Sequence, residues 1–317
     1  MSVQARASAP ASIGNVGVGF DVLGQAFDAC RDEVTAHRES QPGVRLGEVS
    51  GLMTTLPDDP MRNTALRAAQ AVLQAVKAPF GVRLDVKKGV PISAGMGGSA
   101  ASAVAAAAAV NALLDKPFAT AELLPFALEG ERASADPPPW DNVMASLLGG
   151  LVIAAQLDPA IVKPMPVPQG ISAVLFHPDA KTETQAARDV LQPEVPLNTA
   201  VEHARRLGAF TLGCATSDLE LIRAGLDDVL IEPQRAFLLP EMRAVKAAAL
   251  NAGALGCSFS GSGPSIFAWA ADLDLDAVEA AMADAFEQAG RKARCYRAPL
   301  DSFGVRLEPA EEQEACA

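Results

Sequence analysis

The segment PISAGMGGSAAS, residues 91–102, joins a predicted strand to a predicted helix. The strand comes before it, because residues 82–86 alternate apolar and polar side chains as a half-buried strand does. The helix comes after it, because residues 99–114 form a long alanine-rich run. Glycines let the backbone approach a ligand, and the unpaired N–H groups of a helix's first turn attract an anion. The segment therefore predicts an anion site, with an ordinary strand-to-helix turn as the alternative.

Two common phosphate-binding motifs do not fit this segment. No Gly-Lys-Ser/Thr follows it, as a Walker A motif requires, and it does not open a βαβ unit as the dinucleotide GxGxxG does. The hydroxyls of Ser99 and Ser102 can still donate hydrogen bonds to a phosphate. Ser99 could also ligate Mg²⁺, which prefers oxygen ligands.

Two further segments have the same character. Residues 9–24, APASIGNVGVGFDVLG, carry Asn15 and Asp21 among small residues, as expected where a ligand approaches the backbone. Residues 258–265, SFSGSGPS, form a glycine–serine turn between two apolar stretches. Either one alone is more often a plain turn than a binding site. Three such segments in one chain favour a ligand-binding interpretation.

Length, charge and cysteine content narrow the class of protein. The 317 residues suggest about two domains, and half of them are apolar, as in ordinary globular chains. A net charge of −12 without a basic cluster argues against nucleic-acid binding. The five cysteines are far apart and never in a CxxC pair, so neither a disulfide framework nor a zinc site is expected. We expect no signal peptide and no membrane-spanning stretch, which favours a cytoplasmic protein.

Predicted strands and helices are mixed without strict βαβ alternation, which indicates an α+β fold. The predicted helices are 63–76, 99–114, 121–134, 184–191, 199–212, 217–225, 240–252 and 275–289, and the predicted strands include 80–86, 151–155, 172–176, 256–260 and 265–270. The proline-rich residues 159–168 predict a boundary, which gives domains 1–157 and 158–317. Residues 307–317 predict a frayed acidic tail.

In this order and spacing, the three glycine segments resemble the GHMP kinases, the family of galacto-, homoserine, mevalonate and phosphomevalonate kinases. Further matching positions are Gly130-Glu131 ten residues before Asp141-Asn142, Thr184 with Arg188, and Glu232-Pro233-Gln234-Arg235. The match covers nearly the whole chain and is most similar to the homoserine kinase branch. It implies an N-terminal domain like the second domain of ribosomal protein S5, a ferredoxin-like C-terminal domain, and ATP in the cleft between them.

The resemblance also implies roles for individual residues. Asn142 and Thr184 would orient the γ-phosphate and the acceptor hydroxyl, and Ser99 and Glu131 would hold Mg²⁺. L-homoserine would contact Asn15, Asp21, Asp141, Arg188 and Arg235. ATP would contact Asn63, Pro91, Ser93, Ala94, Gly95, Met96, Gly97, Gly98, Ser99, Ala100, Ser102, Ser260, Gly261, Ser262 and Gly263.

Elementary chemistry agrees with this division of roles. An amino-acid substrate needs cations for its carboxylate, and arginine binds a carboxylate through two parallel hydrogen bonds. Its ammonium group needs carboxylates, which Asp21 and Asp141 can supply. The alternative for Arg188 and Arg235 is a solvated surface position, since most arginines are exposed.

The implied reaction transfers the γ-phosphoryl group of ATP to the side-chain hydroxyl of L-homoserine, a step of threonine biosynthesis. Such transfers depend mainly on positioning and electrostatic stabilisation. Two alternatives are a kinase of the same family with another hydroxylated acceptor, and a non-catalytic relative that only binds ATP. The resemblance also suggests a homodimer.

The sequence departs from the family pattern in two places. The phosphate loop usually reads Gly-Leu-Gly-Ser-Ser, whereas Met96 and Gly98 replace its leucine and first serine here. Gly98 keeps its backbone N–H, and methionine for leucine conserves volume, so phosphate binding should survive. The second departure is Pro139, which stands where the family places a substrate-binding histidine two residues before the aspartate. Proline cannot donate a side-chain hydrogen bond, so this position puts the acceptor in question.

Overall fold

The computed structural model describes residues 3–180 and 184–309. In chain order, the strands are β1 (Gln4–Gly14), β2 (Leu23–Glu39), β3 (Val44–Gly51), β4 (Gly81–Lys88), β5 (Leu151–Leu157), β6 (Ala160–Met165), β7 (Ile171–Pro178), β8 (Gly256–Phe259), β9 (Ile266–Ala271), β10 (Ala293–Pro299) and β11 (Arg306–Glu308). The α-helices are α1 (Thr64–Ala75), α2 (Gly98–Asn111), α3 (Leu124–Glu131), α4 (Trp140–Leu148), α5 (Thr184–Asp189), α6 (Leu197–Thr216), α7 (Leu219–Leu226), α8 (Glu232–Arg235), α9 (Met242–Asn251) and α10 (Leu275–Gln288).

The first sheet is built around β2, a strand of 17 residues. Its strand order is β11-β1-β2-β4-β3, and β5 pairs with the first part of β2 and with β6. The pairs are antiparallel except for β3 with β4. Because β2 is long, its first part can pair with β5 while its second part pairs with β4.

A layer of helices covers one face of this sheet, with α2 at its centre. Alanine side chains are short, so α2 can lie close to β1 and β2, and its residues from Ala100 to Asn111 are all buried. Helices α1 and α3 pack beside it. A side chain at Gly130 of α3 would lie 2.6 Å from the Cβ of Ala68 in α1 and 3.1 Å from that of Ala103 in α2. Glycine at 130 therefore permits the close approach that brings α3 against the phosphate-loop helix.

The second sheet is antiparallel, with strand order β10-β7-β9-β8. Helices α9 and α10 pack on it, and the rings of Phe176 and Phe286 stack with centroids 5.6 Å apart. A buried hydrogen bond of 2.8 Å, from Trp269 Nε1 to Gln25 Oε1, joins β9 of this sheet to β2 of the first. The α+β prediction is confirmed.

Two segments differ from the sequence-based expectation. Part of the proline-rich stretch forms β6, which pairs with β5, because Pro164 lies on an edge strand where a missing N–H is tolerated. Leu307 and Glu308, expected in a frayed tail, belong to β11 and pair with β1. Residues 310–317 lie outside the described residues. The domain boundary at 157/158 stays a prediction. Strand β5, which ends at Leu157, and strand β6, which follows it, both belong to the first sheet.

Helix α4 was not predicted, since the run Pro137–Pro139 was interpreted only as the end of a helix. Pro139 is instead the N-cap residue of α4, a position where proline's missing N–H leaves no hydrogen bond broken. This helix carries Asp141 and Asn142 in its first turn. Over residues 3–180 and 184–309, no helix is both long and apolar enough to cross a membrane.

Candidate active site

A cleft of about 530 Å³ lies where the three glycine segments meet. It is lined by parts of the three segments (residues 9–24, 91–102 and 258–265) and by the first turn of α4. Arg188 and Arg235 from the second half of the chain complete the lining. Its volume is within the range usual for small-molecule sites.

The glycine segment of residues 91–102 forms the turn that leads into α2. Gly95 and Gly97 have φ angles of +70° and +65°, the left-handed region that glycine adopts without strain. Gly97 is the N-cap of α2, and no side chain caps this helix end. The first N–H groups of α2 therefore lack a side-chain acceptor, which is the arrangement that binds phosphate at helix N-termini.

Hydrogen bonds between the three segments fix the shape of this turn. The hydroxyl of Ser260 donates to the carbonyl of Gly95 at 2.6 Å, and the backbone N–H of Ser12 donates to the carbonyl of Met96 at 3.0 Å. The N–H of Gly261 donates to the carbonyl of Gly14 at 2.9 Å. The segments that sequence reasoning singled out separately are thus one structural unit.

Ser99 and Glu131 meet beside the first turn of α2. The hydroxyl of Ser99 donates to Glu131 Oε1 at 2.6 Å. Glu131 is buried, and its Oε2 has no hydrogen-bond partner among the described residues. Burial raises the pKa of Glu131 to about 7, although the Ser99 hydrogen bond acts to lower it. An unpartnered buried carboxylate oxygen next to a hydroxyl is a suitable pair of ligands for a hard cation.

On the opposite side of the cleft, Asn15 connects the acidic residues. Its backbone N–H donates to Asp141 Oδ2 at 2.9 Å, and its side-chain oxygen accepts from the N–H of Asp21 at 2.9 Å. Its side-chain nitrogen donates to the carbonyl of Gly261 at 3.0 Å. Arg188 binds both carboxylate oxygens of Asp21, at 2.9 and 3.0 Å.

The two arginines both lie next to one aromatic ring, that of Phe20. The guanidinium carbons of Arg188 and Arg235 are 5.6 and 5.1 Å from the centroid of the Phe20 ring, within the range of a cation–π contact. Arg235 is buried, and desolvation, with the charge of Arg188, lowers its pKa to about 10. It therefore stays positively charged near neutral pH, and the surface alternative does not apply to it.

Asp141 and Asn142, from the first turn of α4, line the cleft beside Asn15. Asp141 is buried, and desolvation followed by the charge of Asp21 raises its pKa to about 6. The side-chain nitrogen of Asn142 donates to Asp141 Oδ1 at 3.1 Å, and its oxygen accepts from the Ser12 hydroxyl at 2.9 Å. Both side chains of α4 are therefore held in one orientation before any ligand binds.

Most of the residues predicted for the site line the cleft. Those that line it are Asn15, Asp21, Asn63, Ser93, Ala94, Gly95, Met96, Gly97, Gly98, Ser99, Ser102, Glu131, Asp141, Asn142, Arg188, Arg235, Gly261 and Ser262. Pro91, Ala100, Ser260 and Gly263 are buried behind its wall. The side chain of Thr184 lies outside the described part of the structure, so its placement stays a prediction.

In two of the lining residues, Asn63 and Ser102, the side-chain groups that were expected to bind ATP form hydrogen bonds within the protein. The side-chain oxygen of Asn63 accepts from Ala65 N at 3.0 Å, capping α1, and its nitrogen donates to the carbonyl of Pro57 at 2.7 Å. The hydroxyl of Ser102 donates to Asp32 at 2.6 Å, behind the phosphate loop. Their roles toward ATP stay predictions.

Sequence reasoning missed the buried pair of Lys88 and Asp32. Lys88 Nζ contacts Asp32 Oδ2 and donates to the carbonyl of Gly98 and the hydroxyl of Ser102, both at 2.8 Å. A signal was present, because Lys88 follows Val82, Leu84 and Val86 at the spacing of side chains that face the core. Asp32 gave no comparable signal, since it lies far away in the sequence. Also missed were Phe20 and the apolar lining residues Met53, Leu56 and Ile92.

The described residues contain no cluster of three or more His, Cys, Asp or Glu side chains that could hold a metal by themselves. Mg²⁺ does not need one, because it is usually bound through one or two carboxylates together with substrate phosphates and water. Ser99 with Glu131 fits that simpler pattern.

Comparison with protein families identifies both halves of the chain. Residues 63–150 match the N-terminal domain of GHMP kinases, and residues 197–288 match the C-terminal region of GHMP kinases. The two matched regions together cover more than half of the chain.

Individual relatives carry the name homoserine kinase. The protein from Xylella fastidiosa (strain M12) is 44% identical over 309 residues, covering 96% of this chain and 94% of that protein. The one from Xanthomonas campestris pv. campestris (strain B100) is 42% identical over 308 residues, with the same coverage of both chains. The crystal structure of homoserine kinase from Cytophaga hutchinsonii superposes with a TM-score of 0.93 at 36% identity, covering 97% of this chain and 98% of that one.

Proposed function

This chain belongs to the GHMP kinase family, and we propose that it transfers the γ-phosphoryl group of ATP to the side-chain hydroxyl of L-homoserine. The product is O-phospho-L-homoserine, in threonine biosynthesis. The observation that carries the proposal is that one cleft joins an uncapped helix N-terminus to a set of two arginines and two aspartates. The first suits a phosphate chain, and the second suits a zwitterionic amino acid.

The ATP phosphates are expected at the turn from Gly95 to Ser99, where backbone N–H groups of α2 are available. The apolar side chains of Met53, Leu56 and Ile92 offer contacts to the adenine ring. Asn63 holds the Pro57 carbonyl beside them, so it would act on the adenine pocket mainly by fixing the loop that contains Leu56 and Pro57.

Mg²⁺ would be held by the hydroxyl of Ser99 and the carboxylate of Glu131, whose Oε2 has no hydrogen-bond partner among the described residues. When bound, the ion neutralises negative charge on the phosphates. The protein's own contribution is to keep the two ligands together, which the close packing of Gly130 against α1 and α2 achieves.

The acceptor would be bound by charge complementarity at both of its ends. Arg188 and Arg235 suit the carboxylate of homoserine, and Asp21 and Asp141 suit its ammonium group. In the transfer, the hydroxyl oxygen forms a bond to the γ-phosphorus as the bond to the ADP oxygen breaks; ADP leaves with that bond's electron pair, and the hydroxyl proton passes to solvent. Asn142 and Thr184 are the proposed groups that orient the hydroxyl and the γ-phosphate.

A second candidate is a different small hydroxylated acceptor, and Pro139 favours it. Pro139 lines the cleft two residues before Asp141, at the position where the family pattern has a histidine. Its ring offers apolar surface and no hydrogen bond, so one polar contact to the acceptor is replaced by an apolar one. A less polar acceptor would tolerate this change better than homoserine.

A coupled ADP-release assay with Mg-ATP decides between these candidates. Homoserine, threonine, mevalonate and sugars would be compared at equal concentrations, and homoserine should give the highest kcat/KM. A higher kcat/KM with another acceptor would transfer the assignment to that acceptor. ATP binding without turnover on any of them would indicate a non-catalytic relative. A homodimer and a cytoplasmic location are further proposals, which sedimentation and cell fractionation would test.

A further inference from the structure

The motif Glu232-Pro233-Gln234-Arg235 forms α8, and the proposed function uses only its arginine. We propose that Glu232 and Gln234 are positioning residues that hold Arg235 and Arg188 in place for the acceptor's carboxylate. The proposal rests on the proposed function, because it concerns binding of the same acceptor.

Glu232 anchors α8 to the layer of the second sheet. Its Oε1 accepts from Lys246 Nζ of α9 at 2.6 Å, and its Oε2 accepts from the hydroxyl of Ser258 in β8 at 2.7 Å. Ser258 is buried and Glu232 and Lys246 are largely so, so these bonds are little weakened by solvent. Both carboxylate oxygens are thus bonded to regular elements that pack against the core.

The start of α8 is fixed by a second group, Asp228. Its carboxylate accepts from the N–H groups of Leu230, Ile231 and Glu232 at 2.8, 3.1 and 2.8 Å. Lys246 also contacts Asp227 Oδ1 at 3.1 Å, so the same ammonium group ties down the preceding turn. A helix of one turn has little stability of its own, and these contacts set its position.

Gln234 and Arg235 connect α8 to the chain that carries Arg188. Gln234 Oε1 accepts from the N–H of Gln192 at 2.8 Å, and its Nε2 donates to the carbonyl of Leu230 at 2.7 Å. Arg235 Nε donates to the carbonyl of Ala187 at 2.8 Å. Ala187 directly precedes Arg188, so α5 and the residues after it are attached to α8 at two points. A displaced α8 would therefore move both arginines.

The need for such anchoring follows from the charges. Arg235 and Arg188 carry like charges beside the same Phe20 ring, and desolvation followed by the charge of Arg188 lowers the pKa of Arg235. Two guanidinium groups that repel each other can share one carboxylate only if the backbone that carries them is held firmly. Misplacement by about 1 Å is enough to lose much of a positioned contact's effect.

The test compares KM values for homoserine and for ATP in four variants. Glu232→Ala should raise KM for homoserine about tenfold and leave KM for ATP within about twofold, since Glu232 itself bonds to Lys246 and Ser258, which are not among the residues proposed to bind ATP. Glu232→Gln should recover part of the loss. Ser258→Ala should give a smaller rise of about threefold, and it serves as the deciding variant if Glu232→Ala does not fold. The matched control is Glu241→Ala, because Glu241 is also a buried glutamate of the second half paired with a cation, Arg291, at 2.7 Å.

A double-mutant cycle separates positioning from a direct effect. If Glu232 acts through Arg235 and Arg188, then Glu232→Ala added to Arg235→Met should raise KM for homoserine clearly less than the roughly tenfold rise it causes alone, because only Arg188 is left to be displaced. Independent effects that multiply would overturn the proposal.

The outcomes of the two proposals can be told apart. A wild-type protein without homoserine-dependent ADP release would remove both. An active wild type whose folded Glu232→Ala variant keeps a normal KM for homoserine would remove only the positioning role. Parallel rises in both KM values, or an equal rise in the Glu241→Ala control, would indicate a general loss of structure and would also overturn it.

Discussion

Arg188 and Asp21 form a two-point ion pair across the acceptor side of the cleft, with Nη2 to Oδ1 at 2.9 Å and Nη1 to Oδ2 at 3.0 Å. Each residue is also the proposed partner for one end of a zwitterionic amino acid. The ion pair therefore keeps two opposite charges next to each other on the acceptor side of the cleft.

Replacing Asp21 should weaken acceptor binding and leave ATP binding intact. Asp21→Asn removes the charge that attracts the ammonium group and that orients Arg188, so KM for homoserine should rise about ten- to a hundredfold. Steady-state kinetics with each substrate varied in turn would measure this. Glu202→Gln is a matched control, since Glu202 forms an ion pair of similar exposure with Arg206 on α6. Equal rises in both KM values would contradict the assignment.

The second prediction concerns acid pH. Burial and the Asp21 charge raise the pKa of Asp141 from 3.8 to about 6, so its carboxylate is present above pH 6 and is lost below it. If Asp141 binds the ammonium group, kcat/KM for homoserine should fall about tenfold per pH unit below pH 6. The measurement uses saturating Mg-ATP, which keeps the proposed metal site ionised. Asp141→Asn should lower kcat/KM and abolish this acid limb, and an unchanged profile in that variant would assign the limb to another group.

Glu131 should make the ligand-free protein less stable as the pH rises. Its pKa is raised from 4.5 to about 7, mainly by burial, so folding favours the protonated form. The stability that this group contributes is complete below pH 4.5 and is lost as the pH passes through 7. The neutral Glu131→Gln variant should thus match wild type near pH 4.5 and exceed it by up to about 3 kcal/mol at pH 8.

Calorimetric unfolding without nucleotide or metal would measure the Glu131 effect. Glu129→Gln is the control, because Glu129 lies two residues earlier on the exposed side of α3. With saturating Mg-ATP the order should reverse, since wild type gains stability from the bound ligand and Glu131→Gln gains less. A constant difference between the two proteins from pH 5 to pH 8 would show that Glu131 does not titrate in this range.

Much of the site could be predicted because its parts are local in sequence. The glycine turn before the alanine-rich helix shows its anion-binding chemistry within twelve residues. Asn15 and Asp21 likewise lie close together in one short segment. What the sequence does not show is which of these side chains satisfy each other. Ser102 and Asn63 carry suitable groups for a nucleotide, yet one bonds to Asp32 and the other caps a helix.

The missed elements have a related cause. Strands β6, β10 and β11 are short or proline-containing. β10 and β11 pair with β7 and β1, which lie in distant parts of the chain, and β6 pairs with the neighbouring edge of β5. Helix α4 begins directly after a proline run, which ends one helix but is equally compatible with the start of another. Strand pairing and helix starts of this kind depend on tertiary contacts, so the pattern of residues along the sequence does not predict them.

Gly95 should be essential for the phosphate loop. A Cβ at this position would lie 2.3 Å from the carbonyl oxygen of Ser260 and 2.7 Å from that of Gly263. Gly95→Ala should therefore displace the loop and raise KM for ATP at least about tenfold, besides the cost of about 1–2 kcal/mol for a left-handed alanine. Gly170→Ala is the matched control, because Gly170 has a nearly identical φ of +71° with no atom near its would-be Cβ. Similar KM values in both variants would show that the close contact is unimportant.

The last prediction concerns the buried pair behind the phosphate loop. Lys88 is 4% exposed and Asp32 fully buried, so Lys88→Met would leave an unpaired buried carboxylate and should cost about 3–5 kcal/mol of unfolding free energy. Lys87 is the natural control, since it pairs with Glu33 at the neighbouring position of β4 but is largely exposed. Lys87→Met should cost at most about 1 kcal/mol. Adding Asp32→Asn to Lys88→Met should recover part of the lost stability, because the uncompensated charge is then gone. Chemical denaturation of the four proteins would measure this, and equal losses for Lys87→Met and Lys88→Met would mean that solvent reaches the inner pair.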